Sequence, residues 1–150
     1  MKRILVIDDD PNSAEVAEGF LTGAGYDVSV ALDGFVGLKM ILSQKPDLVL
    51  TDIWMPIGTG LSLVQRLQEL GVDDLPVIFM TAARDNGLRQ SANQLGVFGF
   101  FEKPYNSKEL LMAVDWALSQ EAAKLRIRRK TECQLALQCR TRHASAMSRA

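Results

Sequence analysis

Histidine is almost missing from this chain of 150 residues. His143 is the only one, and the two cysteines, Cys133 and Cys139, lie near it towards the C-terminus. A zinc centre draws on several thiolate or imidazole donors at tight spacing, so this inventory argues against one. Cysteines six positions apart form neither a CxxC pair nor the framework of a disulfide-stapled fold. Long apolar runs are absent too. No stretch approaches the roughly 18 residues of a membrane-spanning helix, which excludes a helical membrane anchor within this sequence. Met1-Lys2-Arg3 leads straight into a short strand-like run with no small-residue cleavage site after it. That is not the pattern of a signal peptide, and a cytoplasmic location is expected.

What remains is ordinary in bulk and uneven in arrangement. Hydrophobic residues make up 47% and charged residues 23%, enough for one domain with a real core. The net charge of −1 hides a division. Residues 1–123 hold 9 Lys/Arg against 17 Asp/Glu, whereas residues 124–150 hold 8 Lys/Arg against one Glu. A basic tail can meet an acidic partner; a solvated helical extension or linker is the simpler reading and the one preferred. The expected organisation is a domain over 1–121 and a basic helical extension over 122–150, partly disordered, with 144–150 small and polar enough to lack structure.

Short apolar runs alternate with longer amphipathic ones, the signature of βα units and a parallel sheet. Strands are expected at Arg3–Ile7, Asp27–Ala31, Asp47–Thr51, Pro76–Met80 and Gly99–Phe101. A first helix is expected from about Asn12 to Ala24, with Asn12 and Glu15 at capping-box spacing and Gly25 at its stop. A second follows Asp33. A third presents Leu63, Val64, Leu67 and Leu70 on one face and ends at Gly71. A fourth covers about Asn86–Leu95, with Leu88, Ala92 and Leu95 as its stripe. A fifth starts near Asn106 and buries Leu110, Leu111, Val114 and Leu118. Beyond Gln120 the apolar periodicity fades; the chain could continue the fifth helix, but without partners such a helix is marginal.

The polar residues that punctuate these runs share one place. Asp8 and Asp9 close the first strand, Asp52 the third, Thr81 the fourth and Lys103 the fifth. In an open parallel sheet these ends form one edge, where ligands bind near the topological switch point. Three carboxylates, an ammonium and a hydroxyl in one crevice suggest a divalent-cation site at which a carboxylate accepts a phosphoryl group. Capping is the competing explanation. It suits Asp10, which precedes Pro11 as a helix N-cap precedes a proline at the first helical position. It suits Asp8, Asp9 and Asp52 poorly.

In order and spacing, Ile4-Leu5-Val6-Ile7-Asp8-Asp9-Asp10, Pro46-Asp47-Leu48-Val49-Leu50-Thr51-Asp52, Met55-Pro56 with Gly60-Leu61, Met80-Thr81-Ala82 and Lys103-Pro104 resemble the receiver domain of two-component response regulators. The resemblance covers about residues 1–120. It implies a flavodoxin-like, doubly wound (βα)5 fold with a five-stranded parallel sheet in the order 2-1-3-4-5, here with an extended C-terminal helix. It implies that Asp52 accepts a phosphoryl group from a histidine kinase or phosphotransfer protein in a Mg²⁺-dependent reaction. Asp9 would be a direct metal ligand, Asp8 mainly a water-mediated one, and Asp52 both ligand and acceptor; the main-chain carbonyl of Trp54 would be a further ligand. Thr81 and Lys103 would contact the phosphoryl oxygens, and Phe100 would take the place of the family's switch aromatic. The Lys103–Pro104 peptide bond is expected to be cis. The domain would catalyse only its own phosphorylation and dephosphorylation. Its partners would be the phosphodonor and a downstream effector domain or protein, with a homodimer through the fourth helix, fifth strand and fifth helix plausible and no role for a membrane.

Several positions depart from frequent choices in that family. Phe100 cannot hydrogen-bond as a tyrosine could, and simple core packing explains it equally well. Trp54, two residues after the acceptor, is bulky, and Ala83, two after Thr81, cannot orient a water; slow self-dephosphorylation is expected. Thr59 replaces a common acidic residue, without evident consequence. Two other functions compete. A Mg²⁺-dependent aspartyl phosphatase would carry its nucleophile at the end of the first strand in a DxD pattern beside a cap insertion; here the first strand offers contiguous aspartates and no insertion is long enough. Nucleic-acid binding through the basic tail lacks aromatic interleaving or a helix-turn-helix signal.

Overall fold

The computed structural model describes residues 1–55, 57–72, 74–82 and 86–147. They form β1 (Arg3–Ile7), α1 (Pro11–Gly23), β2 (Asp27–Ala31), α2 (Gly34–Gln44), β3 (Leu48–Asp52), α3 (Gly60–Glu69), β4 (Val77–Thr81), α4 (Asn86–Gln94), β5 (Gly99–Glu102), α5 (Ser107–Leu118) and α6 (Gln120–Met147). The chain divides into two compact units, Met1–Leu118 and Ser119–Ala150.

Within the first unit the strands are parallel throughout, in the order β2-β1-β3-β4-β5. Their alternating side chains build two cores, as the period of a strand requires. Leu5, Ile7, Val49, Val77 and Phe79 pack with Leu63, Leu67, Leu88 and Ala92 of α3 and α4. Ile4, Val6, Leu48, Leu50, Ile78 and Met80 pack with Ala14, Ala17 and Leu21 of α1 and Leu110 and Val114 of α5. Helices on both faces explain why the inner strands read as unbroken apolar runs. Gly37 of α2 lies so close that an added Cβ would stand 2.5 Å from Ile7 Cδ1, one residue before Asp8.

At the start of α1 the structure decides between two sequence readings, bearing out the Asp10 cap ahead of Pro11 and not the capping box. The capping box at Asn12 and Glu15 does not form. Asp10 is the N-cap, its side chain accepting from the Asn12 N–H, and Pro11 opens the helix. Asp10 carries a charged acceptor and sits directly ahead of the proline, which lacks an N–H to be satisfied. Asp33 caps α2 and Thr59 caps α3 in the same way. Leu70 is exposed rather than part of the α3 core face, because it is the C-cap where the helix unwinds. Asn106 Oδ1 accepts from the N–H groups of Lys108 and Glu109 at the start of α5.

Beyond Leu118 the chain does not prolong α5; a separate helix, α6, begins at Gln120 and continues through Met147. Residues 144–147, expected to be unstructured, belong to it, while 148–150 lie outside the described residues. Ile127, Leu135 and Leu137 are exposed along it, as the faded periodicity anticipates. Among the described residues no helix is long and apolar enough to cross a membrane.

Candidate functional site

The parallel register puts the C-terminal ends of β1, β3, β4 and β5 side by side. Ile7 pairs with Thr51, Asp52 with Met80, and Thr81 with Glu102. Asp8 follows β1 directly, Asp52 is the last residue of β3 and Thr81 the last of β4. Lys103 follows β5, and its N–H donates to the Thr81 carbonyl at 2.8 Å. The strands thus extend one residue further than the sequence pattern predicts at β3, β4 and β5, which carries Asp52 and Thr81 into the ladder itself.

Asp8 is completely buried. Its backbone N–H donates to the Ala31 carbonyl at 3.1 Å, and its Oδ1 accepts from the Asp10 N–H at 3.0 Å. Lys103 Nζ stands 2.7 Å from Asp8 Oδ2 and 3.2 Å from Asp52 Oδ2. Asp52 is 8% exposed, and its Oδ1 accepts from the Trp54 N–H at 3.3 Å. Asp9 is exposed at the rim, yet one oxygen from each of Asp8, Asp9 and Asp52 lies within 4.8 Å of the others. An all-oxygen donor set of three carboxylates fits a hard divalent cation.

Burial raises the Asp52 carboxyl above its usual range; the Asp8 charge adds to that rise, while Lys103 opposes it. Burial alone would lower the Lys103 ammonium, but its bond to Asp8 and the Asp52 charge outweigh burial and hold it above its ordinary value. The result is a poised arrangement: one cation shared by two carboxylates, with more negative charge than it can neutralise.

Thr81 is fully buried at its strand end. Trp54 is 54% exposed, while Phe100 is half-buried on β5. The Lys103–Pro104 bond is cis. Ala83 and Pro56, both singled out in the sequence, lie outside the described residues.

Three residues take structural roles that the sequence reading did not assign to them. A Cβ on Gly60 would meet the Asp52 carbonyl oxygen at 2.6 Å and Phe79 Cε1 at 3.1 Å. Gly60 therefore lets α3 start against the backbone of Asp52 itself. At Gly34 a Cβ would meet the Gly58 carbonyl oxygen at 2.9 Å, and its N–H donates to the Ile57 carbonyl at 3.0 Å. The loop after β3 is thereby pinned to α2. Tyr105 packs edge-on against Phe20 of α1, with ring centroids 5.9 Å apart. Of the glycines between Trp54 and Leu61, Gly60 is held by close backbone approach and Gly58 by its φ of +75°.

Comparison with known proteins agrees with this geometry. Residues 4–115 match the family model of the response regulator receiver domain. The transcriptional regulatory protein DltR of Streptococcus agalactiae is 38% identical over 112 residues, 75% of this chain and 50% of that protein. Response regulator MprA of Mycobacterium ulcerans is 38% identical over 109 residues, 73% of this chain and 47% of that protein. The chain thus spans about half the length of these curated relatives. Among solved structures, a CheY-like receiver domain protein from Methanospirillum hungatei superposes with a TM-score of 0.74 at 25% identity, covering 86% of this chain and 98% of that one. Chemotaxis protein CheY4 of Vibrio cholerae gives 0.71 at 26% identity, covering 77% and 97%.

Proposed function

The chain belongs to the response regulator receiver domain family, and we propose that Asp52 is the residue at which it takes up a phosphoryl group from the phosphohistidine of a histidine kinase or phosphotransfer protein. A carboxylate oxygen of Asp52 attacks phosphorus in line, the bond from phosphorus to the imidazole nitrogen breaks, and that nitrogen keeps the electron pair. The observation that carries this reading is the bridge of Lys103 Nζ to Asp8 Oδ2 and Asp52 Oδ2, at 2.7 and 3.2 Å. It leaves the proposed acceptor on a central strand, close to a cation, with its other oxygen, Oδ1, accepting from the Trp54 backbone N–H.

Asp8, Asp9 and Asp52, with the Trp54 main-chain carbonyl, would hold Mg²⁺, which when bound offsets the charge of the acceptor and of the incoming phosphoryl oxygens. Asp9, at the exposed rim, would be a direct ligand and Asp8 mainly a water-mediated one. Lys103 supplies a fixed positive charge in a partly dehydrated pocket, where it counts for more than in bulk water. The Thr81 hydroxyl donates to one phosphoryl oxygen and Lys103 pairs with another. Those contacts draw together the loops after β4 and β5 and shift the balance between two conformations, which Phe100 registers.

The chemistry is a single charging event of the protein's own side chain, not turnover of an external substrate. Residues 1–121 form the receiver and 122–150 a basic helical extension towards an effector domain or protein. A homodimer through α4, β5 and α5 fits the same reading, as does a cytoplasmic setting.

The test is labelling by acetyl phosphate in the presence of Mg²⁺, followed by intact mass. One phosphoryl group per chain is expected, absent in Asp52→Asn and absent when Mg²⁺ is chelated. Continuous hydrolysis of a phosphomonoester without stoichiometric labelling would instead favour the aspartyl phosphatase alternative.

A further inference from the structure

Arg89 occupies a position on α4 that the proposed chemistry does not use. Its guanidinium carbon stands 4.9 Å from the centroid of the Phe100 ring. Its Nη2 is 3.9 Å from Glu102 Oε1. Phe100 and Glu102 are two apart on β5 and so project from the same face of the sheet. One α4 side chain therefore spans the α4-facing surface of β5, from Phe100 to the residue before Lys103.

The two contacts are unequal. The Arg89–Glu102 pair is long, and both side chains are about half exposed, a setting in which ion pairs contribute little. The contact with the ring is directional and lies within the range of a cation–π interaction. Beneath the guanidinium, Phe100 rests against the core that includes Phe79, Leu88 and Ala92 without being fully enclosed by it. An inward swing of the ring would bury it further. The guanidinium is hydrated and 54% exposed, and it cannot follow the ring into that apolar space without losing water. Deeper burial of Phe100 and contact with Arg89 therefore compete.

We propose that Arg89 is a positioning residue that holds Phe100 in its half-buried place and so sets how readily the domain enters its phosphorylated conformation. The proposal rests on Phe100 being the residue that registers charging of Asp52. A contact made in only one of two conformations biases the equilibrium by its own strength. For a cation–π contact at an exposed site, its loss raises the minor conformation by about two- to fivefold.

The experiment uses the full chain with ring-labelled phenylalanine, read by NMR before and after beryllofluoride with Mg²⁺, with Phe100→Leu assigning the resonance. Acetyl phosphate labelling rates are measured on the same samples. Wild-type Phe100 is expected to move on adding beryllofluoride. In Arg89→Gln the untreated resonance should already lie part-way along that path, with labelling about two- to fivefold faster. Arg89→Lys should fall between, because an ammonium keeps part of the attraction. Glu102→Gln should stay near wild type. A wild-type Phe100 that ignores beryllofluoride would overturn the switch role and the proposal with it. Movement in wild type with Arg89→Gln unchanged would overturn the Arg89 proposal alone, as would Glu102→Gln reproducing the full effect.

Discussion

Lys103 Nζ lies 2.7 Å from Asp8 Oδ2, and that carboxylate has no exposure to solvent at all. Removing one partner of such a pair strands the other, which costs about 3–5 kcal/mol. Lys103→Ala is therefore expected to lower stability by that order at neutral pH in metal-free buffer, read from urea denaturation. Mg²⁺ should recover part of the loss by neutralising the stranded carboxylates. Burial would lower the lysine, yet Asp8 and Asp52 together raise it above its ordinary value of 10.5. Its stabilising contribution is fully present below that ordinary value and is lost only as pH rises through the raised one. A wild-type advantage that disappears between pH 7 and 9 would contradict this.

Asp52 gives the opposite experiment. Burial raises its carboxyl above the ordinary 3.8, with Asp8 adding to burial and Lys103 opposing it. Such a group favours the fold while protonated; that contribution is complete below the ordinary value and is lost as pH rises through the raised one. Asp52→Asn cannot ionise. In chelator at neutral pH it should be more stable than wild type, and the difference should shrink as pH falls towards the ordinary carboxylate value. A gap that stays constant with pH would remove ionisation as its cause.

Two glycines make a matched pair. Gly60→Ala places a methyl 2.6 Å from the Asp52 carbonyl oxygen, so backbone must yield, at a cost of about 1–3 kcal/mol by analogy with overpacked cores. The labelling rate of Asp52 should fall as well. Gly19, inside α1, has nothing within 4 Å of the added carbon. Gly19→Ala should stabilise by about 0.5–1 kcal/mol through helix propensity, with labelling unchanged. Equal effects from the two substitutions would show that the contact at Gly60 is not what matters.

Trp54 donates its backbone N–H to Asp52 Oδ1 at 3.3 Å, and its side chain, two residues after the proposed acceptor, is an exposed indole. An indole offers no acid or amide to orient an attacking water. Once formed, the phosphorylated protein should decay slowly, followed as loss of the labelled mass after the donor is removed. Trp54→Asn, which supplies an amide, should shorten the lifetime. Rapid decay in wild type would count against this reading.

The sheet and its acidic edge were legible because parallel strands buried on both faces leave runs such as Leu48–Leu50 and Val77–Met80 that nothing else explains, each ended by a polar residue. Less legible were features set by distance between backbones. Gly34 and Gly60 matter because of carbonyl oxygens contributed by residues elsewhere in the chain, at Gly58 and Asp52. By contrast, the Asp10 cap of α1 was legible from Pro11, whose missing N–H fixes where the helix starts. Arg89 looked like one more surface arginine until β5 was placed beneath it.

The strand order divides the sheet into a stiff part and a compliant one. β3, which carries Asp52, is laddered on both sides, to β1 and β4. β5, which leads into Lys103, is laddered only to β4. Displacing β3 would tear two rows of hydrogen bonds, whereas β5 can slide or tilt at the expense of one. The proposed acceptor is thus clamped at the centre like an anvil, and the strand proposed to respond hangs at the margin like a reed. Receptor and indicator therefore differ in mechanical stiffness before any phosphoryl group arrives.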